Sequence, residues 1–309
     1  MLAILYGINA AMAHQPCIWC TYDITKDEKN DQGQYIHSTM NITRTLDEAN
    51  RIVSTFEKGL NGYVKSPIIN IDFKFCVFDT LHLFLRITDK LFAILFDFIE
   101  NCESGEDDLE KRPMMKGFLD FLKNECKICN PYYFKQKNNT GEKVKLRSLN
   151  SNELENIYRA LSITDVNGNQ TVLITILKPS QDHLQELTMI NALWLNFYKY
   201  YQIIKNRIAI NIESLTNSLK CFFNILKDSH FESCLNLTPY LHILIHHLPV
   251  FLEIYGDIDI FNLQGFEKLN HVLKQAYQGN TNKKTHVYLK QLLSVRNRHE
   301  LNYFDCNFA

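Results

Sequence analysis

Leu81, Phe84, Leu85, Leu91, Phe92, Leu95, Phe96 and Ile99 recur at three- and four-residue intervals, with Arg86, Asp89, Lys90 and Asp97 on the remaining faces. That period predicts one long amphipathic helix over 81–100. Residues 2–13, rich in Leu, Ile and Ala, predict a helix that Pro16 stops, and residues 47–60 predict another with Thr45 as its N-cap. The charged run 103–112 reads as a solvated linker, after which Pro113 restarts a helix through residue 124. Residues 132–135 and 143–147 flank a turn-rich Asn/Gly loop and predict a β-hairpin. From residue 153 onward the helical period recurs over 153–161, 182–206, 210–228, 238–255, 262–277 and 285–297. Residues 23–40 read as an exposed loop and 68–78 as an extended segment. The pattern predicts a mainly α chain with one small β element, without internal repeats.

Composition narrows the classes. The 309 residues are 46% apolar, enough for one large core or two modest ones. A net charge of -1, from 33 basic and 34 acidic residues, is no global nucleic-acid signature, so any DNA contact must be local. No apolar run is long enough to span a bilayer, so no membrane role is expected. Nine cysteines without a regular framework, and no export signal, point to a reducing intracellular compartment, nuclear or cytoplasmic.

Cys17 and Cys20 have the two-residue gap that lets two thiolates clasp one tetrahedral ion. Two more ligands are needed, and the best donors are His242, His246 and His247 on one predicted helix. On spacing alone both His242 with His246 and His242 with His247 fit a zinc pair. Three buried imidazoles on an apolar helix would be costly without partners, which favours a metal over plain core packing. A second knuckle, Cys126-x-x-Cys129, has no evident second pair and reads as two thiols at a helix end, with a second metal as the alternative.

The order Cys17-x-x-Cys20, Asp79-x-x-His82, His242 through His247 and Pro249, Gly256, then Gly265-x-Glu267 with Asn270, resembles the catalytic subunit of the V(D)J recombinase and its Transib-type transposase relatives. The match runs in patches from about residue 5 to about 285, is strongest over 240–270 and carries little over 100–235. The resemblance implies a helical zinc-binding insertion of a ribonuclease H-like DDE transposase, with a small β-hairpin and a C-terminal catalytic helix. It picks His242 and His247 as the histidine ligands of a structural Zn²⁺ and Glu267 as a catalytic ligand of Mg²⁺. It divides the chain into 1–60 (Cys half of the zinc site), 61–235 (helical insertion with hairpin) and 236–309 (His half and catalytic-Glu helices).

In that family two further aspartates lie upstream of the Cys pair, whereas none of residues 1–16 is Asp or Glu. One carboxylate cannot hold two metals, so strand transfer by this polypeptide is not expected. Asp72 and Asp79 stand in the wrong order to replace them; Asp79 reads either as part of the family segment or as a helix N-cap. Lys283, Lys284, Lys290, Arg296 and Arg298 form a basic cluster that fits DNA phosphates or a solvated helix face, and Lys143, Lys145 and Arg147 are a weaker candidate. DNA is the expected partner, with a homodimer implied by the family. The alternative is a helical zinc-containing protein-interaction module with no DNA role.

Overall fold

The computed structural model describes Ile8, Gln15, residues 17–22, 28–29, 35–36, 43–55, 60–103, 108–138, 141–147, 149–162, 172–208, 211–227, 231 and 239–262. The chain divides into two compact units, one of residues 1–78 and 82–259 and one of 79–81 and 260–309. Of the second unit, only 79–81 and 260–262 lie among the described residues.

The described chain is mainly helical. A short antiparallel pair, β1 (Glu28–Lys29) and β2 (Tyr35–Ile36), precedes α1 (Leu46–Ser54). The long helix α2 (Thr80–Cys102) follows, then α3 (Pro113–Asn124) and the hairpin of β3 (Tyr133–Asn138) and β4 (Gly141–Leu146). Next come α4 (Ser151–Leu161), α5 (Val172–Leu177), α6 (Leu184–Lys205) and α7 (Ile212–Leu226). Last are α8 (Pro239–His242), a π turn over Ile243–His247 and α9 (Leu248–Tyr255). Among the described residues no helix is long and apolar enough to cross a membrane.

The core of the first unit forms around α2. Leu83, Phe84, Ile87, Leu91, Phe92, Ile94, Leu95, Phe96, Phe98 and Ile99 are all buried, so this helix is covered on nearly every side. Ring centroids of Phe84 and Phe197 lie 5.7 Å apart, Phe92 and Trp194 5.0 Å, and Phe96 and Phe118 5.9 Å, which joins α2 to α6 and α3. Edge contacts of this kind stabilise beyond the area they bury. The Thr88 hydroxyl meets the Tyr158 hydroxyl and so ties α2 to α4.

Several elements depart from the sequence pattern. Of the helix expected over 2–13, only Ile8 is described, and it sits in an antiparallel bridge with Tyr63 rather than in a helix. The expected helix 47–60 ends at Ser54, where the Ser54 and Thr55 hydroxyls turn back onto the Arg51 carbonyl. Residues 68–78 contain no strand, only a 3₁₀ turn at Phe73–Phe75 capped by Asp72. The six-residue helix α5 is missing from the expected elements, because a short β-branched run (Val172, Ile174, Thr175, Ile176) has no period of its own. The supposed linker 103–112 holds a fully buried arginine, Arg112. The helices expected over 262–277 and 285–297 lie outside the described residues.

Caps fix the boundaries where the pattern leaves them open. The Asn150 side chain accepts from the Glu153 N–H at 3.0 Å and Glu153 accepts from the Asn150 N–H at 3.0 Å, a reciprocal capping box on α4. Arg147 pairs with the same carboxylate and, with the Asn150 N–H, holds it below the usual glutamate range. A depressed folded value means that this stability is present above the unfolded value of about 4.3 and is lost as pH falls through the folded one. Glu153→Gln is therefore expected to lower stability at pH 7 and to flatten its decline below about pH 4. Urea denaturation across that range checks this; an unchanged acid limb would remove the pair from the argument.

A candidate metal centre

Four side chains from the two ends of the first unit converge. Cys17 Sγ lies 3.2 Å from His247 Nε2, and Cys20 Sγ lies 3.2 Å from His242 Nε2 and 3.5 Å from His247 Nε2. The two Nε2 atoms are 3.1 Å apart, and all four donor atoms lie within 4.8 Å of one another. Around a tetrahedral zinc, bond lengths near 2.3 Å to sulfur and 2.05 Å to nitrogen put S and N about 3.6 Å apart and two N atoms about 3.3 Å apart. The observed spacings match to within a few tenths of an ångström. Cys17, Cys20 and His242 are buried and His247 is half-buried. Among the described residues this is the one group of three or more His, Cys, Asp or Glu side chains placed to hold an ion.

The histidine pair depends on a local irregularity. In a regular α-helix, residues five apart point about 140° away from one another, and His246 rather than His247 would share the face of His242. Ile243–His247 instead forms a π turn, in which the Leu248 N–H reaches back to the Ile243 carbonyl. A π turn bonds residues five apart and brings them onto one side. Pro249 supplies a cause: it has no N–H for the Ile245 carbonyl and its ring crowds that oxygen, so the turn before it widens. His246 stays beside the pair, its ring 4.7 Å from that of His242, but outside the donor group.

Aromatic rings surround the donors. Tyr22 stacks on His242 at 4.0 Å, and Trp19 lies 5.3 Å from His247 and 5.7 Å from Phe251. The Trp19 N–H donates to Cys17 Sγ at 3.4 Å, and its indole N–H to the Cys76 carbonyl at 2.6 Å. Burial opposes ionising the Cys17 thiol, yet hydrogen bonds from Cys20, His242 and His247 outweigh it and hold that thiol well below the ordinary value. Cys20, bonded to Cys17 and buried beside it, is pushed up. Two thiols in one apolar pocket compete in this way until a dication is shared, because a coordinating thiol gives up its proton outright. Two thiolates, two neutral imidazoles and one Zn²⁺ sum to zero charge, which suits a buried, closed, structural site.

The other expected site residues fall elsewhere. Asp79 accepts from the Leu81 N–H at 3.1 Å, the helix-cap geometry. In the second knuckle Cys126 is buried and Cys129 exposed, and neither belongs to a donor group among the described residues. Burial pushes the Cys126 thiol up to about 12, which keeps it protonated at neutral pH. Glu267, Lys283, Lys284, Arg296 and Arg298 lie outside the described residues. Trp19, Tyr22 and Arg44 also border the cluster; nothing in the sequence marks Tyr22 or Arg44 for this, and Trp19 is marked only by its place inside the Cys-x-x-Cys knuckle, as one of two tryptophans in the chain. No protein-family model and no curated protein matches the chain.

Proposed function

We propose that these residues are the zinc-stabilised helical part of a DDE-type DNA recombinase or transposase, similar to the V(D)J recombinase catalytic subunit and Transib-type transposases, and that they bind DNA. The observation that carries the reading is the convergence of one Cys-x-x-Cys knuckle and one His-x₄-His pair from positions 222 to 230 residues apart. That pairing, its ligand order and the helical chain between the halves are what the resemblance implies. In this reading the ion is zinc and its role is structural, since four protein ligands leave no open position for chemistry. Glu267 would hold Mg²⁺ only within a complete active site, and as the single matched carboxylate it supports no strand transfer by these residues.

Filter binding of the whole chain to duplex DNA between about 50 and 200 mM salt tests the DNA role. Affinity is expected to fall linearly on a log–log plot, and alanine at Lys283 and Lys284 to make the slope shallower by about 1 for each phosphate no longer neutralised. Absence of salt-dependent affinity would sink the proposal. One observation favours the second reading, a helical zinc-containing protein-interaction module. Val64, Ile68, Ile71 and Phe75 are exposed, as are Val250 and Ile254 on α9, and the Tyr255 hydroxyl donates to the Lys74 carbonyl between them. Exposed apolar side chains on two segments joined by a hydrogen bond are what a protein contact surface would use.

A further inference from the structure

Arg44 is 1% exposed, although it lies in a polar stretch of sequence. Its Nε–H is shared between the carbonyl oxygens of Cys17 and Cys20, each at 3.0 Å. Nη1 donates to the Asn61 carbonyl, and the guanidinium carbon lies 4.8 Å from the centre of the Tyr63 ring. The backbone repeats the connection: the Arg44 N–H donates to the Trp19 carbonyl at 2.9 Å, and Thr43 bridges to Cys20. Asn61 (φ 52°) and Gly62 (φ 79°) both adopt left-handed backbone, which turns the Asn61 carbonyl toward Arg44. A Cβ at Gly62 would stand 3.5 Å from Arg44 Nη2 and 3.1 Å from the Gln15 carbonyl.

A buried guanidinium is costly unless its environment compensates it, and among the described residues no carboxylate lies within ion-pair distance of Arg44. Its partners are instead three backbone carbonyls and a ring face. Two of those carbonyls belong to the residues that carry the thiol ligands. A planar fork of donors suits this task, because it fixes several oxygens at set angles where an ammonium would act as one point charge.

We propose that Arg44 is the positioning residue of the metal centre: it holds the Cys17–Cys20 knuckle by its carbonyls, so that both thiolates face the His242–His247 pair. The proposal rests on reading those four residues as a metal centre. Groups that orient metal ligands commonly contribute 10- to 100-fold in affinity, so losses of about that size are expected for Arg44→Met, with Arg44→Lys between it and the unchanged protein.

The test uses the full chain, with zinc affinity from chelator competition and the visible absorption of bound Co²⁺, which reports tetrahedral thiolate coordination. Both variants are expected to keep one metal site, bind it more weakly in that order and show an altered cobalt spectrum. Unchanged zinc affinity and an unchanged cobalt spectrum in Arg44→Met would overturn the proposal. So would loss of helical structure in both variants at saturating zinc, since that assigns Arg44 to the fold rather than to the ion. If the unsubstituted protein itself bound no zinc, the metal-centre reading would fall first and by a different result.

Discussion

Purified protein is expected to carry about one zinc ion per chain, and alanine at Cys17 or at His247 to remove it. Each thiolate or imidazole is one of four donors within 4.8 Å, so a single substitution leaves a three-ligand site with an exposed metal. Structural zinc in small finger peptides is held with an apparent free energy of about 10–16 kcal/mol at pH 7. In this chain the helices around α2 have an apolar core of their own, so the variants are expected to keep most of their helical ellipticity. What falls is the thermal midpoint, and a strong chelator added to the unsubstituted protein should reproduce the fall. His246→Ala provides the contrast, because His246 stands beside the donors without joining them. Stoichiometric zinc in Cys17→Ala protein, or its loss in His246→Ala, would refute the ligand set.

The second large effect is expected at Arg112, which shares no partner with the Cys/His cluster among the described contacts. Its side chain is fully buried, pairs with Glu100, and lies 3.5 Å from a Glu103 carboxylate oxygen. Glu103 also accepts from the Met114 and Met115 N–H groups and so caps the first turn of α3, while Tyr133 of the hairpin covers the guanidinium at 5.5 Å. Removing one partner of a buried pair leaves the other charge uncompensated, which typically costs about 3–5 kcal/mol. Arg112→Met is expected to lose stability in that range by urea denaturation. Adding Glu103→Gln should recover part of it, because the amide oxygen still caps α3 while the stranded charge is gone. A single variant within about 0.5 kcal/mol of the original would show that the pair behaves like a surface contact.

Arg112 also marks where the sequence stops being readable. It closes a run of charged residues, and nothing local separates a solvated arginine from one that draws two glutamates inward. Arg44 is the same problem: its partners are carbonyls 17, 24 and 27 residues away. By contrast, α2 was legible to within two residues at either end, because its apolar period runs for five turns. The hairpin was legible from its turn, and α1 from Thr45, whose hydroxyl accepts from the Glu48 N–H as expected. Half of the metal centre was visible as a Cys-x-x-Cys pair. Spacing alone left the other half open between His246 and His247, and the family resemblance picked His247; the physical choice turns on how Pro249 widens the turn before it.

The distance that the centre spans along the chain has a consequence in time. Cys17 emerges from the ribosome 230 residues before His247. At synthesis rates of about 5–20 residues per second, that gap lasts about 10–50 s. For nearly all of that interval the knuckle has two sulfurs and neither of its histidine partners, so it must stay reduced and must not settle on a foreign metal or on another thiol. With a metal bound by these four residues, its capture would be one of the last events in the maturation of this first unit, and a nascent chain that stalls before His247 is expected to expose an open dithiol that a thiol-reactive probe would detect.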